Sequence, residues 1–152
     1  MGHDRGRRRI ELFTRASTTE TRRQQSAVVE RLRLLEDEGV IDGFVHRVWN
    51  AELCPRSAAD RTPWCDVAMR KYAEFAAWCE RRERTLRPFF DERSVHSTIT
   101  GERAEVVVFP VTCVAVYDGD ELLDVAPSRN AKRVYTVEAC LAALERAPEL
   151  RT

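Results

Sequence analysis

The feature that most constrains this 152-residue chain is an apolar run at residues 104–127, AEVVVFPVTCVAVYDGDELLDVAP. Its first half is apolar at successive positions, which is the pattern of a β-strand buried on both faces. The run ends at Asp118-Gly119, a dipeptide typical of a tight hairpin turn, and resumes at Leu122–Val125. The pattern therefore predicts a hairpin whose first strand needs a cover on each face.

A first helix is predicted over residues 17–39, behind a short strand candidate, RIELFTR, at residues 9–15. Ser17 and Glu20 have the spacing of a capping box, and Gly39 stands where a helix C-cap requires a positive φ. One apolar stripe at helical spacing indicates the buried face: Val28, Leu32 and Leu35.

The remaining elements continue the alternation. FVHRVW at residues 44–49 is a strand candidate, and Thr62-Pro63 begins a second helix. Residues 87–102 suggest an edge strand with a turn at Gly101, and Thr136 caps a last helix that Pro148 ends. One apolar face on the second helix is interpreted as core: Ala68, Tyr72, Phe75 and Cys79. The order β-α-β-α-(β)-β-β-α favours a mixed sheet with helices on both faces.

The stretch RLRLLEDEGVIDGFVHRVW, at residues 31–49, has two interpretations, since a helix that ends at glycine and enters a strand occurs in winged-helix DNA-binding domains and in βαβ units. A helix-turn-helix needs a supporting helix before its recognition helix, and the strand candidate at residues 9–15 leaves no room for one. Residues 18–38 also hold four arginines and five acids, a poor composition for the major groove. A βαβ unit is therefore predicted.

The predicted order resembles the thioredoxin-like fold, a β-α-β-α-β-β-α sandwich. The resemblance places that fold's cis-proline at Pro110, its hairpin turn at Asp118 and Gly119, and its closing helix at residues 136–147. It departs where that fold carries its cysteine pair, since the sequence there is FTRASTTE, without a thiol.

The chain as a whole resembles a small family from halophilic archaea whose members commonly carry the label "HTH domain-containing protein". The resemblance covers nearly all of the sequence and is seen in ELFTR, RLRLLEDEGVIDGF, CPRSAA, RPFFDER, STITGE and YTVEACLAALE. It implies a transcription-associated regulatory role and assigns no catalytic residue.

The net charge of the chain is zero, because 25 basic residues balance 25 acidic ones. The chain as a whole therefore has no electrostatic field that would attract nucleic acid or an anionic membrane. The first nine residues nevertheless hold four arginines and one aspartate, and are predicted to be a flexible basic tip. Arg5, Arg7, Arg8 and Arg9 are candidate phosphate contacts of low affinity and no sequence preference. CERRERTLR, at residues 79–87, is interpreted as a salt-bridged, solvent-facing surface because glutamates alternate with its arginines.

Five cysteines without CxxC spacing predict free thiols in a cytoplasmic protein. Cys54, in a loop with Arg56 and Arg61, is the candidate for a reactive thiol. The histidines and cysteines lack zinc-site spacing, so no metal or other cofactor is expected, and no membrane or export segment is recognised.

We therefore predict a tip at residues 1–9, one α/β domain at residues 10–147 and a tail at residues 148–152. No catalytic signature is present, which favours a non-catalytic regulatory or protein-interaction module. A thiol-based redox sensor, or a degenerate thioredoxin-fold oxidoreductase, stays open as the alternative. The protein partner is unidentified, and weak DNA contact through the terminal arginines and homodimer formation also stay open.

Overall fold

A computed structural model of the chain describes residues 8–16, 18–53, 63–96, 99–101 and 103–150. Within these ranges the protein has three helices: α1 (Thr19–Asp37), α2 (Pro63–Arg81) and α3 (Val137–Leu150). It has nine strands in the same ranges: β1 (Arg8–Thr14), β2 (Gly43–Val48), β3 (Glu52–Leu53), β4 (Asp91–His96), β5 (Arg103–Val108), β6 (Thr112–Asp118), β7 (Glu121–Ala126), β8 (Ser128–Arg129) and β9 (Val134–Tyr135).

The larger sheet has the strand order β2-β1-β6-β7. β1 is parallel to β2 and antiparallel to β6, and β6 is antiparallel to β7. The β1–β6 ladder keeps one register from the Arg8–Asp118 pair to the Thr14–Thr112 pair. Because α1 connects the two parallel strands, the predicted βαβ unit is confirmed.

Both faces of the central strands are covered, as the doubly apolar pattern predicts. On one face, Ile10, Leu12 and Val114 pack in a cluster with residues of α1 and α3. On the other, Phe13 and Tyr117 pack in a cluster with residues of α2 and of a smaller sheet. The sheet is therefore mixed, with helices on both faces, and its core strands β1 and β6 lie in the middle layer.

The apolar run at residues 104–127 forms strands in two sheets. β5 is the middle strand of the smaller sheet, whose order is β3-β5-β4, whereas β6 and β7 form the predicted hairpin in the larger one. Gly119 in the hairpin turn has φ +60, the left-handed conformation that glycine adopts readily. The predicted edge strand is also present as β4, and its connection to β5 includes Gly101 at φ +74.

Pro110 lies in the segment that joins the two sheets, and its position differs from the thioredoxin-like expectation. Among the described residues the cis bonds are Arg87–Pro88 and Ala126–Pro127, and the Phe109–Pro110 bond is trans. The segment passes directly from β5 to β6, and the Pro110 carbonyl accepts a hydrogen bond from Trp49 Nε1 at 3.1 Å. The cis-proline expected at Pro110 is therefore wrong.

The helix ends follow the local sequence closely. α1 ends as predicted at Gly39, which has φ +76 and whose N–H donates to the Glu36 carbonyl. Its N-cap is Thr18 rather than the predicted Ser17, which lies outside the described residues. Thr136 caps α3 as predicted, accepting from the Ala139 N–H at 3.0 Å. α3 continues to Leu150, past the predicted end at Pro148.

A buried ion pair joins the sheet to α2. Glu11 of β1 is 5% exposed, and its carboxylate lies 2.8 Å from Lys71 Nζ of α2 and 2.7 Å from Arg9 Nη1. Burial alone raises the pKa of a carboxyl group, but the hydrogen bonds and charges of Lys71 and Arg9 outweigh it, and the pKa of Glu11 lies below its ordinary value of 4.5. Lys71 also contacts the Tyr117 hydroxyl at 3.1 Å. The pair thus fixes α2 over the centre of the sheet.

Replacing Lys71 by methionine should destabilise the fold in a pH-dependent way. We expect Lys71→Met to lower the free energy of unfolding by about 2 kcal/mol near neutral pH, because Glu11 stays buried with less compensation. A carboxyl whose folded pKa is lowered stabilises the protein above its unfolded pKa, and that contribution is lost as the pH falls. The deficit should therefore shrink between about pH 5 and pH 3, as urea denaturation at several pH values would show.

The matched control is Lys132→Met, which removes the other lysine of the chain from an exposed position. Equal unfolding free energies for the two variants at neutral pH would contradict the proposed role of the Glu11–Lys71 pair.

Candidate functional site

The carboxyl end of α2 turns the chain sharply and exposes a series of arginines. Arg84 N–H donates to the Cys79 carbonyl at 2.8 Å, and Glu83 N–H donates to the Glu80 carbonyl at 3.2 Å. These two bonds form a Schellman motif, in which the residue at the left-handed position is usually glycine. Here that residue is Glu83, with φ 58. A non-glycine residue in this conformation costs about 1 kcal/mol, and such strain is often found near functional surfaces.

A second arginine-rich segment, residues 129–133, is bound to the end of α2. Thr85 and Arg129 exchange two backbone hydrogen bonds, of 2.7 and 2.9 Å. Arg129 Nε donates to the Arg87 carbonyl at 2.9 Å. Between β8 and β9, the Asn130 side-chain oxygen accepts from the N–H groups of Lys132 and Arg133. The two segments therefore form one surface although they are about 40 residues apart in sequence.

Arginine side chains stack on two aromatic rings across this surface. The guanidinium carbons of Arg82 and Arg84 lie 4.9 and 5.0 Å from the ring centroid of Trp78. Arg84 also lies 3.6 Å, and Arg133 4.6 Å, from the ring centroid of Tyr135. Stacking holds the planar guanidinium in place while the N–H groups at its edge stay available for other acceptors.

We call this region the basic surface: Arg82, Arg84, Arg87, Arg129, Lys132 and Arg133. The two segments that form it, residues 82–87 and 129–133, contain six basic residues and one acid, Glu83. Asp124 binds Arg84 at 2.9 Å, and Asp91 lies 3.6 Å from Arg87. The other four basic side chains have no carboxylate within ion-pair distance in the described part of the chain. The surface therefore has an excess of positive charge.

The prediction that glutamates and arginines of residues 79–87 form salt bridges with one another is wrong. Among the described residues, Glu80 and Glu83 form no ion pair with the arginines beside them, because the Schellman turn separates the side chains that a straight helix would align. Sequence analysis also missed residues 129–133. Their RNAKR composition was a usable signal, but the partner segment was not evident before the Thr85–Arg129 pairing was known.

Comparison with known proteins gives one family. A family model described as a helix-turn-helix domain matches residues 3–149 of the chain. The chain belongs to this helix-turn-helix domain family. No curated protein and no solved structure gives a significant match.

Family membership does not by itself identify a recognition helix. In the described residues no two helices are joined directly by a short turn, since β2 and β3 lie between α1 and α2, and strands β4–β9 lie between α2 and α3. None of the described helices is long and apolar enough to cross a lipid bilayer. The described residues also bring together no cluster of three or more potential metal ligands.

The arginines predicted to contact phosphate lie partly in the sheet. Arg8 and Arg9 belong to β1, which begins two residues before the predicted domain boundary at residue 10. Arg9 is engaged by Glu11, by the Gly119 carbonyl at 2.9 Å and by the Tyr117 ring at 4.2 Å. Arg5 and Arg7 lie outside the described residues.

The candidate reactive thiol, Cys54, also lies outside the described residues. The four cysteines that the structure describes are all buried: Cys65, Cys79, Cys113 and Cys140. Burial raises the pKa of Cys79 to about 11 and raises the pKa of Cys113 and Cys140 further. A thiol with a raised pKa contains little thiolate at neutral pH and is a poor nucleophile.

Thiol labelling tests whether the buried cysteines are as unreactive as their raised pKa values predict. We expect Cys79, Cys113 and Cys140 to stay unmodified by iodoacetamide in the native protein, and to react once urea unfolds the chain. Peptide mass spectrometry of wild type and Cys54→Ser assigns each modified position. Rapid native labelling at any of the three buried cysteines would refute this assignment.

Proposed function

We propose that the protein is a non-catalytic, DNA-associated regulatory protein that holds the phosphate backbone of DNA on its basic surface. The observation that supports this most directly is the backbone pairing of Thr85 with Arg129, which places residues 82–87 beside residues 129–133 on one surface. Membership in the helix-turn-helix domain family is compatible with such a role. Clustered arginine and lysine side chains are the groups that bind phosphate oxygens and displace counterions.

The stacked arginines suit phosphate binding for a physical reason. An arginine that is free in solvent loses side-chain entropy when it binds, whereas one stacked on Trp78 or Tyr135 is already partly ordered. Its edge N–H groups can then donate to two oxygens of a phosphate in a bidentate arrangement at a lower entropic cost. We infer that the aromatic rings position the cations and that the cations supply the affinity.

Contact through this surface would be insensitive to base sequence. Phosphate contacts fix the position of a protein on DNA, but only contacts to base edges specify sequence. α1 is poorly suited to enter a groove, because Leu32 and Leu35 on its apolar stripe are buried against the sheet. Its carboxyl end is acidic, with exposed side chains at residues 36–38.

We further propose that the scaffold under this surface is thioredoxin-like. The order β2-β1-β6-β7, with β1 parallel to β2 and β6 antiparallel to both neighbours, supports this interpretation. The smaller sheet would be an addition to this order, with β3 before α2 and with β4 and β5 between α2 and β6. The trans bond at Pro110 and the absence of cysteine between β1 and α1 argue that the scaffold serves binding rather than dithiol chemistry.

The proposed function predicts strongly salt-dependent binding of DNA without sequence preference. In a fluorescence anisotropy titration with a random-sequence duplex, affinity should fall steeply as the salt concentration rises. We expect the triple variant Arg82→Gln, Arg87→Gln, Lys132→Gln to bind at least about tenfold more weakly at low salt. Its slope of log affinity against log salt should be smaller by about three units, one for each lost contact.

The matched control removes three positive charges from exposed positions on α1: Arg22→Gln, Arg23→Gln and Arg33→Gln. Both variants have the same net charge, so a difference between them reports location rather than total charge. Equal loss of affinity in the two variants would contradict the proposal, as would tight binding that depends on sequence and resists salt.

A further inference from the structure

A cleft of about 370 Å³ lies beside the basic surface, between β9 and α3. Three arginines line it, Arg84, Arg133 and Arg146, together with one acid, Asp124. The lining therefore has two positive charges in excess. Its volume is within the range of small-molecule sites, which begins at roughly 300 Å³.

One wall of the cleft is held rigidly. Arg84 stacks on the Tyr135 ring, and its Nη1 atom contacts Asp124 at 2.9 Å and the Ser128 hydroxyl at 3.4 Å. The Arg84 side chain is 16% exposed. This arginine is therefore satisfied by the protein and orders the wall, and the charge available for a ligand comes from the other two arginines.

Arg133 and Arg146 are exposed and have no acidic partner among the described residues. Two acids of α3, one of them adjacent to Arg146 in sequence, are engaged by α1. Glu138 and Glu145 both bind Arg31 of α1, at 2.6 and 2.7 Å. Arg31 thus engages these two carboxylates, and neither forms an ion pair with an arginine of the cleft.

The opposite wall leaves room for a ligand between these cations. The residues of α3 that face the cleft before Arg146 are small, Ala139, Ala142 and Ala143 among them. Two arginines that line one open cleft without an acidic partner among the described residues match a dianionic group that offers several acceptor oxygens.

We propose that this cleft binds a phosphomonoester, whose two negative charges equal the excess positive charge of the lining. The same chemical group occurs on a free nucleotide and at the 5′ end of a DNA strand, and a test with both probes separates these sources. The inference deepens the proposed function, since the cleft adjoins the surface proposed to hold DNA. It assigns roles to Arg133 and Arg146 as ligands, and to Arg84 and Tyr135 as positioning residues.

Isothermal titration calorimetry tests the site with adenosine 5′-monophosphate and, for comparison, adenosine. We expect the nucleotide to bind and adenosine not to bind. Arg133→Gln and Arg146→Gln should each weaken nucleotide binding about tenfold or more, and Arg23→Gln, an exposed arginine of α1, should leave it unchanged. Circular dichroism verifies that each variant is folded. Binding that is indifferent to both cleft substitutions would overturn the proposal.

A second arm compares a short single strand with and without a 5′-phosphate. Tighter binding of the phosphorylated strand, lost in Arg146→Gln, would support strand-end capture, whereas nucleotide binding alone would support a free small ligand. Absence of both would overturn the phosphomonoester site.

The triple variant of the basic surface separates the two proposals. It should retain nucleotide binding, because Arg133 and Arg146 are unchanged in it. If the wild-type protein binds nucleotide but not duplex DNA, the DNA-associated function fails and the cleft stands. If duplex DNA binds and no phosphomonoester does, the cleft fails alone.

Discussion

The antiparallel ladder between β1 and β6 is the constraint on which the rest of the structure depends. Both strands have large apolar side chains on their two faces, and residues 113–117 of β6 are all buried. Exposure of either face would cost roughly 25 cal/mol for each Å² of apolar surface. The fold must therefore supply two covers: α1 and α3 form one, and α2 with the smaller sheet forms the other. Each helix therefore buries one face against the sheet, and that face is not available to a partner.

The packing of the helices on the sheet limits how this member of a helix-turn-helix domain family can contact DNA. α1 is fixed by its apolar stripe and by Gln25, whose side-chain nitrogen donates to the Arg15 and Val111 carbonyls at 3.1 and 3.0 Å. Releasing α1 into a groove would expose Leu32 and Leu35 and leave those two carbonyls without this donor. A surface formed where helices end, rather than along a helix, requires no such loss. The end of α2 and the β8–β9 segment are such a place.

Sequence predicted the features that depend on a few adjacent residues. The positive φ of Gly39, the cap at Thr136 and the turn at Gly119 each follow from local chemistry, and the alternation of strand and helix predicted the βαβ unit. The division of residues 104–127 between two sheets could not be predicted, because it depends on which strands lie beside β5 and β6. The basic surface could not be predicted for the same reason: Arg87 and Arg129 are 42 residues apart, with β4–β7 between them in sequence.

A chain with no net charge can still present a charged surface if its acids are engaged elsewhere. Arg31 binds two glutamates of α3, and Asp124 is occupied by Arg84, so that other arginines of the basic surface and the cleft have no acidic partner among the residues that the structure describes. Since the totals balance, an equal negative excess must lie in other parts of the protein, and the exposed acids at residues 36–38 contribute to it. A polyanion is attracted by one region and repelled by the other, so the charge distribution also selects its orientation.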